Sequence, residues 1–137
     1  YSDEKVMDCV RAVCANDLVA RFEDGLDHVF DEGGRTLSAG ERQLISFARA
    51  LLVNPPILVL DEATASIDTR TETAIQKALK ELTMGRTTVV IAHRLSTIRD
   101  ADSILVLRKG RVIEQGNHES LMSQNGEYAA LYRAHTA

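Results

Sequence analysis

The sequence predicts an α/β fold, and three observations carry the prediction. Two short stretches that read as strands, the apolar run 57–60 and residues 87–92, flank a stretch of helical apolar period. Strand, helix, strand in that order makes a crossover unit with parallel strands. Two further runs, 104–107 and 111–114, meet at Lys109-Gly110 and read as an appended hairpin. The 137 residues, 45% apolar and 26% charged, have the size and balance of an ordinary globular domain.

Each element has a local reason. Residues 3–14 read as a helix, with Ser2 as cap, Asp3 and Glu4 in the first turn, and Val6, Val10 and Val13 on one face. A second short helix follows over 17–22. From 23 to 36 the apolar period stops, and Gly25, Gly33 and Gly34 mark a loop. Ser38 opens the next helix, in which Leu44, Ile45, Ala48, Leu51 and Leu52 recur at helical spacing until Asn54-Pro55-Pro56 stops it. The run 57–60 is continuous rather than alternating, which predicts a strand covered on both faces. Asp68 is placed to cap a helix through Thr83 whose buried face is Ile75, Ala78, Leu79 and Leu82, with Gly85 as its terminator. After the strand 87–92 and the hairpin, helices near 119–123 and 127–135 complete the chain.

Composition also excludes classes. Sixteen basic against twenty acidic residues give a net charge of −4, and a nucleic-acid partner is not expected without a basic surplus. No apolar stretch reaches the roughly 18–20 residues of a membrane span, and Tyr1-Ser2-Asp3-Glu4 has no signal-peptide character. The missing initiator Met suggests a chain cut from a longer one. Cys9 and Cys14 lie five apart on a helical stretch and point in different directions, so free thiols in a reducing compartment are expected, with no zinc site.

Three places have residues suited to chemistry. Asp61-Glu62 follow the first strand, and ligands of open parallel sheets sit at the strands' carboxyl ends. A carboxylate there can hold the Mg²⁺ of a nucleotide while a neighbour serves the attacking water; alone, the pair equally opens a turn. His93 follows the next strand, which brings a hydrogen-bonding, titratable group to the same rim. Ser38-Ala39-Gly40-Glu41 is a capping box, and the same helix start offers amides and a positive dipole end to an anion such as phosphate. A phosphate-cradling Gly-x-x-x-x-Gly-Lys-Ser/Thr is not present, since no Gly-Lys pair occurs.

Taken in order, Leu37-Ser38-Ala39-Gly40-Glu41, Ile57 to Glu62, Ala65-Ser66-Ile67-Asp68 and Ile91-Ala92-His93-Arg94 resemble the ATP-binding cassette of membrane transporters. The flanking Ala48-Arg49-Ala50-Leu51 and His93-Arg94-Leu95-Ser96-Thr97 are similar to the exporter branch. The resemblance implies a partial P-loop NTPase fold, with residues 1–53 in the helical subdomain and 54–137 in the C-terminal part of the ATPase core. It implies that Asp61 binds Mg²⁺, that Glu62 is the general base and that His93 senses the γ-phosphate of ATP. Ser38, Gly40 and Glu41 match the signature that contacts ATP held by a partner cassette, and Asp68 belongs to the loop that communicates across the pair. The partners implied are a second nucleotide-binding domain and a transmembrane domain, at the cytoplasmic face of the membrane. Ala39 and Glu41 depart from the family's Leu-Ser-Gly-Gly-Gln. A weakly hydrolysing half of a heterodimer and a soluble cassette ATPase stand as alternatives, and the chain by itself is expected to be inactive.

Overall fold

The computed structural model describes residues 1–31, 33–61, 69–92 and 95–136. Its elements are helices α1 (Asp3–Ala12), α2 (Asn16–Val19) and α3 (Ala39–Val53), strand β1 (Ile57–Asp61), helix α4 (Thr69–Thr83), strand β2 (Thr87–Ile91), helix α5 (Leu95–Arg99), strands β3 (Ile104–Arg108) and β4 (Arg111–Gly116), and helices α6 (His118–Gln124) and α7 (Glu127–Thr136). A 3₁₀ turn, Gly25–Asp27, lies within the predicted loop. Helix α5 was not expected from sequence: five residues are too few to show an apolar period.

The chain forms two compact units, Tyr1–Leu60 with Ala65–Val89, and Asp61–Thr64 with Val90–Ala137. In the first, α1 and α4 both pack on α3, and the core is Val10, Val13, Leu44, Phe47, Ala48, Leu58, Ile75, Ala78, Leu79 and Leu82. The predicted face of α4 is the buried one throughout. In α3 the buried stripe includes Phe47, which the sequence reading left out, because its spacing of three from Leu44 completes the i, i+3, i+4 set with Ala48. Ser2 caps α1 by accepting from the Lys5 amide, and Asn54, in a left-handed conformation, ends α3. Cys9 and Cys14 are free thiols.

β1 lies beside β2, and the Thr87 amide donates to the Pro56 carbonyl at 3.2 Å. That contact joins the two strand starts, so the strands run parallel and both carboxyl ends, Asp61 and Ile91, reach one edge. The expectation that β1 is covered on both faces is corrected here. Leu58 is 7% exposed but Val59 is 68%, and in β2 Val89 and Ile91 are likewise exposed. Alternate side chains of a strand point to opposite faces, and only the Leu58 face meets the α3–α4 core.

In the second unit β3 and β4 pair antiparallel through the turn Lys109-Gly110, both at positive φ as a two-residue hairpin turn requires. Val106, Leu121 and Tyr128 form its core. His118 Nδ1 lies 2.8 Å from the Tyr128 hydroxyl. Burial, with Tyr132 alongside, raises the Tyr128 phenol above its ordinary range. Glu114 on β4 caps α7, accepting from the amides of Glu127 at 2.7 Å and Tyr128 at 2.9 Å. A Cβ on Gly126 would collide with that carboxylate. Gly126→Ala is therefore expected to evict the Glu114 carboxylate from the α7 N-terminus and destabilise the chain by about 1 kcal/mol, the usual worth of a cap, read as a lowered midpoint in urea unfolding. No helix among the described residues is long and apolar enough to cross a membrane.

Candidate functional site

The start of α3 is built by four consecutive residues. Ser38 is extended (φ −65°, ψ 163°), and its hydroxyl accepts from the Glu41 amide at 3.2 Å. Glu41 returns the bond, its Oε2 accepting from the Ser38 amide at 2.8 Å. The capping box read from Ser-x-x-Glu is thus present in full. The first amides of a helix have no acceptor within it. Two of those here are met by the box, and the amides of Ala39 and Gly40 remain at the end of the helix dipole, the arrangement that suits an anion. Ser38 is exposed while Leu37 and Gly40 on either side of the cap are buried.

Two arginines hold this corner. Arg42 donates to the Leu37 carbonyl and, at 3.4 Å, to the Gly34 carbonyl, fastening the loop that leads into α3. Arg21, just after α2, places Nη2 2.6 Å from Glu41 Oε1. Sequence reasoning missed Arg21, because nothing in the local pattern singles out one arginine twenty positions from its partner. Partial burial works to raise the Glu41 carboxyl, but the Ser38 amide and hydroxyl and the Arg21 guanidinium outweigh it and hold the group below its ordinary value of 4.5. A depressed carboxylate adds stability that is present above its unfolded pKa and disappears as pH falls through the folded one. Acid unfolding is accordingly expected to start at higher pH in wild type than its stability at neutral pH alone implies. Glu41→Gln should flatten the pH dependence of the urea midpoint below about pH 4.5, the side chain's ordinary value.

Asp61 is the last residue of β1 and is exposed, at the carboxyl edge where the sequence placed it. Among the described residues no group of three or more His, Cys, Asp or Glu side chains gathers into a cation site. A lone carboxylate still fits Mg²⁺, a hard cation commonly bound by one or two protein carboxylates plus substrate phosphates and water. Glu62, Asp68 and His93 lie outside the described residues. Of the predicted site, then, the structure brings Ser38, Gly40 and Glu41 together and sets Asp61 at a strand end.

Comparison with known proteins gives these features a family. Residues 7–65 match the family described as "ABC transporter". The chain is 59% identical over 133 residues to the ABC transporter ATP-binding protein YknV of Bacillus subtilis (strain 168), covering 97% of this chain and 22% of that protein. To the ATP-dependent lipid A-core flippase of Syntrophus aciditrophicus (strain SB) it is 53% identical over 132 residues, covering 96% of this chain and 22% of the flippase. Among solved structures, that of a bacterial Atm1-family ABC exporter with ATP bound superposes with a TM-score of 0.86 at 44% identity, covering 99% of this chain and 24% of that one. The chain therefore spans about a fifth of the length of the curated relatives it matches. These likenesses run over nearly the whole of this chain, and the chain belongs to the ABC transporter family.

Proposed function

We propose that this chain is part of the ATP-binding and ATP-hydrolysing domain of an exporter, in which closure and opening of a cassette pair drive transmembrane segments between two access states. The observation that carries the reading is the start of α3, where an exposed Ser38 caps the positive helix end and the capping box leaves the Ala39 and Gly40 amides unmet. Residues 1–53 form its share of the helical lobe and 54–137 the C-terminal part of the core. Ser38 donates to the γ-phosphate of ATP held by a second nucleotide-binding domain, and Asp68 belongs to the loop that communicates across the pair. At this chain's own site Glu62 takes a proton from the attacking water and His93 donates a hydrogen bond to the γ-phosphate. Asp61 holds Mg²⁺, which when bound offsets the charge on the phosphates. The transmembrane domain of the same transporter is the mechanical partner, which puts the cassette at the cytoplasmic face of the membrane.

Ser38→Ala in the full-length transporter tests the reading. ATP turnover should fall about tenfold or more, the scale for one lost charge-assisted hydrogen bond of about 1.5–3 kcal/mol. Wild-type turnover would remove Ser38 from the site. The 137-residue chain alone should show no turnover, because it has no Gly-Lys pair to cradle the phosphates. Ala39 and Glu41, which depart from the usual signature, favour a second reading in which this cassette is the weaker half of a heterodimer. Full turnover by a transporter built from one kind of polypeptide would discard it.

A further inference from the structure

Glu41 sets a problem that the rest of the site makes sharper. It puts a carboxylate three residues into a helix whose N-terminal end is proposed to receive a triphosphate, and the charge of −1 opposes the dipole and amides that favour the anion. Both carboxylate oxygens are nevertheless engaged. Oε2 accepts from the Ser38 amide at 2.8 Å, and Oε1 is met by Arg21 Nη2 at 2.6 Å. Glu41 is 22% exposed in its side chain and Arg21 54%, so the pair lies at the surface beside the signature rather than in the core. Within 1–60 Arg21 is also located over the Phe22 ring, at 5.9 Å from its centroid, which limits where the guanidinium can go.

We infer that Arg21 is a positioning residue for the signature: by binding Glu41 it cancels the acid's charge and turns the carboxylate back on Ser38, so that a Glu signature can receive a phosphate as a neutral one would. The inference rests on the reading of Ser38 as the γ-phosphate contact. It also explains how Glu41 is accommodated without a second change in α3 itself, since the compensating charge comes from the segment after α2.

The experiment is a double-mutant cycle on the full-length transporter, with steady-state ATPase kinetics and thermal unfolding measured on every variant. Arg21→Gln is expected to raise the KM for ATP about fivefold with little change in kcat, the scale of one uncompensated surface charge. Arg21→Lys should stay near wild type, because the charge is kept. Introduced into Glu41→Gln, the same Arg21→Gln change should shift KM less than twofold, as no carboxylate is left to neutralise. An equal KM rise in both backgrounds, or a rise matched by a fall in melting temperature that Lys does not rescue, would show that Arg21 only ties the segment down and would overturn the inference. Ser38→Ala, run alongside, separates the two levels of argument. Impaired Ser38→Ala with no coupling between Arg21 and Glu41 overturns the role of Arg21 alone, whereas wild-type kinetics in Ser38→Ala overturns the site and the Arg21 role with it.

Discussion

Replacing Glu62 by Gln in the full-length transporter is expected to lower ATP turnover by about 10²–10⁴-fold, the range for removing a general base, while nucleotide binding persists. Gln matches Glu in size and can still hydrogen-bond the attacking water, but it cannot take its proton. The effect should therefore fall on kcat, with the apparent affinity for ATP retained. Trapping of ATP on the protein with turnover suppressed is the measurement that checks it. Turnover within threefold of wild type would reassign the base, and His93→Ala would be the next variant to examine. Position supports the role: Asp61 closes β1, a parallel strand whose neighbour β2 ends on the same edge, and Glu62 is the next residue.

The second large effect concerns stability. Ile75, 1% exposed on α4, sits among Leu44, Phe47, Ala78 and Leu82 in the core of the first unit. Ile75→Ala removes three carbons from a packed site and is expected to destabilise the 137-residue chain by about 2–5 kcal/mol, from lost burial plus the cavity left behind. That is a large share of the roughly 5–15 kcal/mol by which a domain is stable. Urea unfolding followed by circular dichroism would show the midpoint falling at nearly constant slope. A loss below about 1 kcal/mol, far under that range, would mean that α4 repacks freely and that its apolar face does not anchor it. Substituting Val59, 68% exposed on β1, by Ala should change the same midpoint far less, because little apolar surface is withdrawn from water there.

Much of the fold is visible from sequence because it depends on short-range physics. Ser2, Ser38 and the paired turn residues Lys109 and Gly110 act over four residues or fewer, and the apolar stripe of α4 is periodic over its whole length. The error at β1 has a different origin. Ile57-Leu58-Val59-Leu60 is apolar at every position, which marks a strand suited to burial on both faces; whether a second layer lies over Ile57 and Val59 is not written in those four residues. Helix α5 was missed because one turn and a half contains no period to detect.

The candidate site divides along the same line. Ser38 and Glu41 could be paired from spacing, since a capping box closes within one turn of helix, and Asp61 could be placed from the apolar run it ends. The order of elements, the helix faces and the parallel crossover are likewise determined by the amino-acid sequence alone. Only the tertiary structure decided that Arg21 meets Glu41, that Glu114 caps α7 beneath Gly126, and that one face of the β1–β2 pair carries the core. Those pairings join residues from 12 to 20 or more positions apart, and their partners are chosen by the path of the whole chain through space, which no local period or cap records.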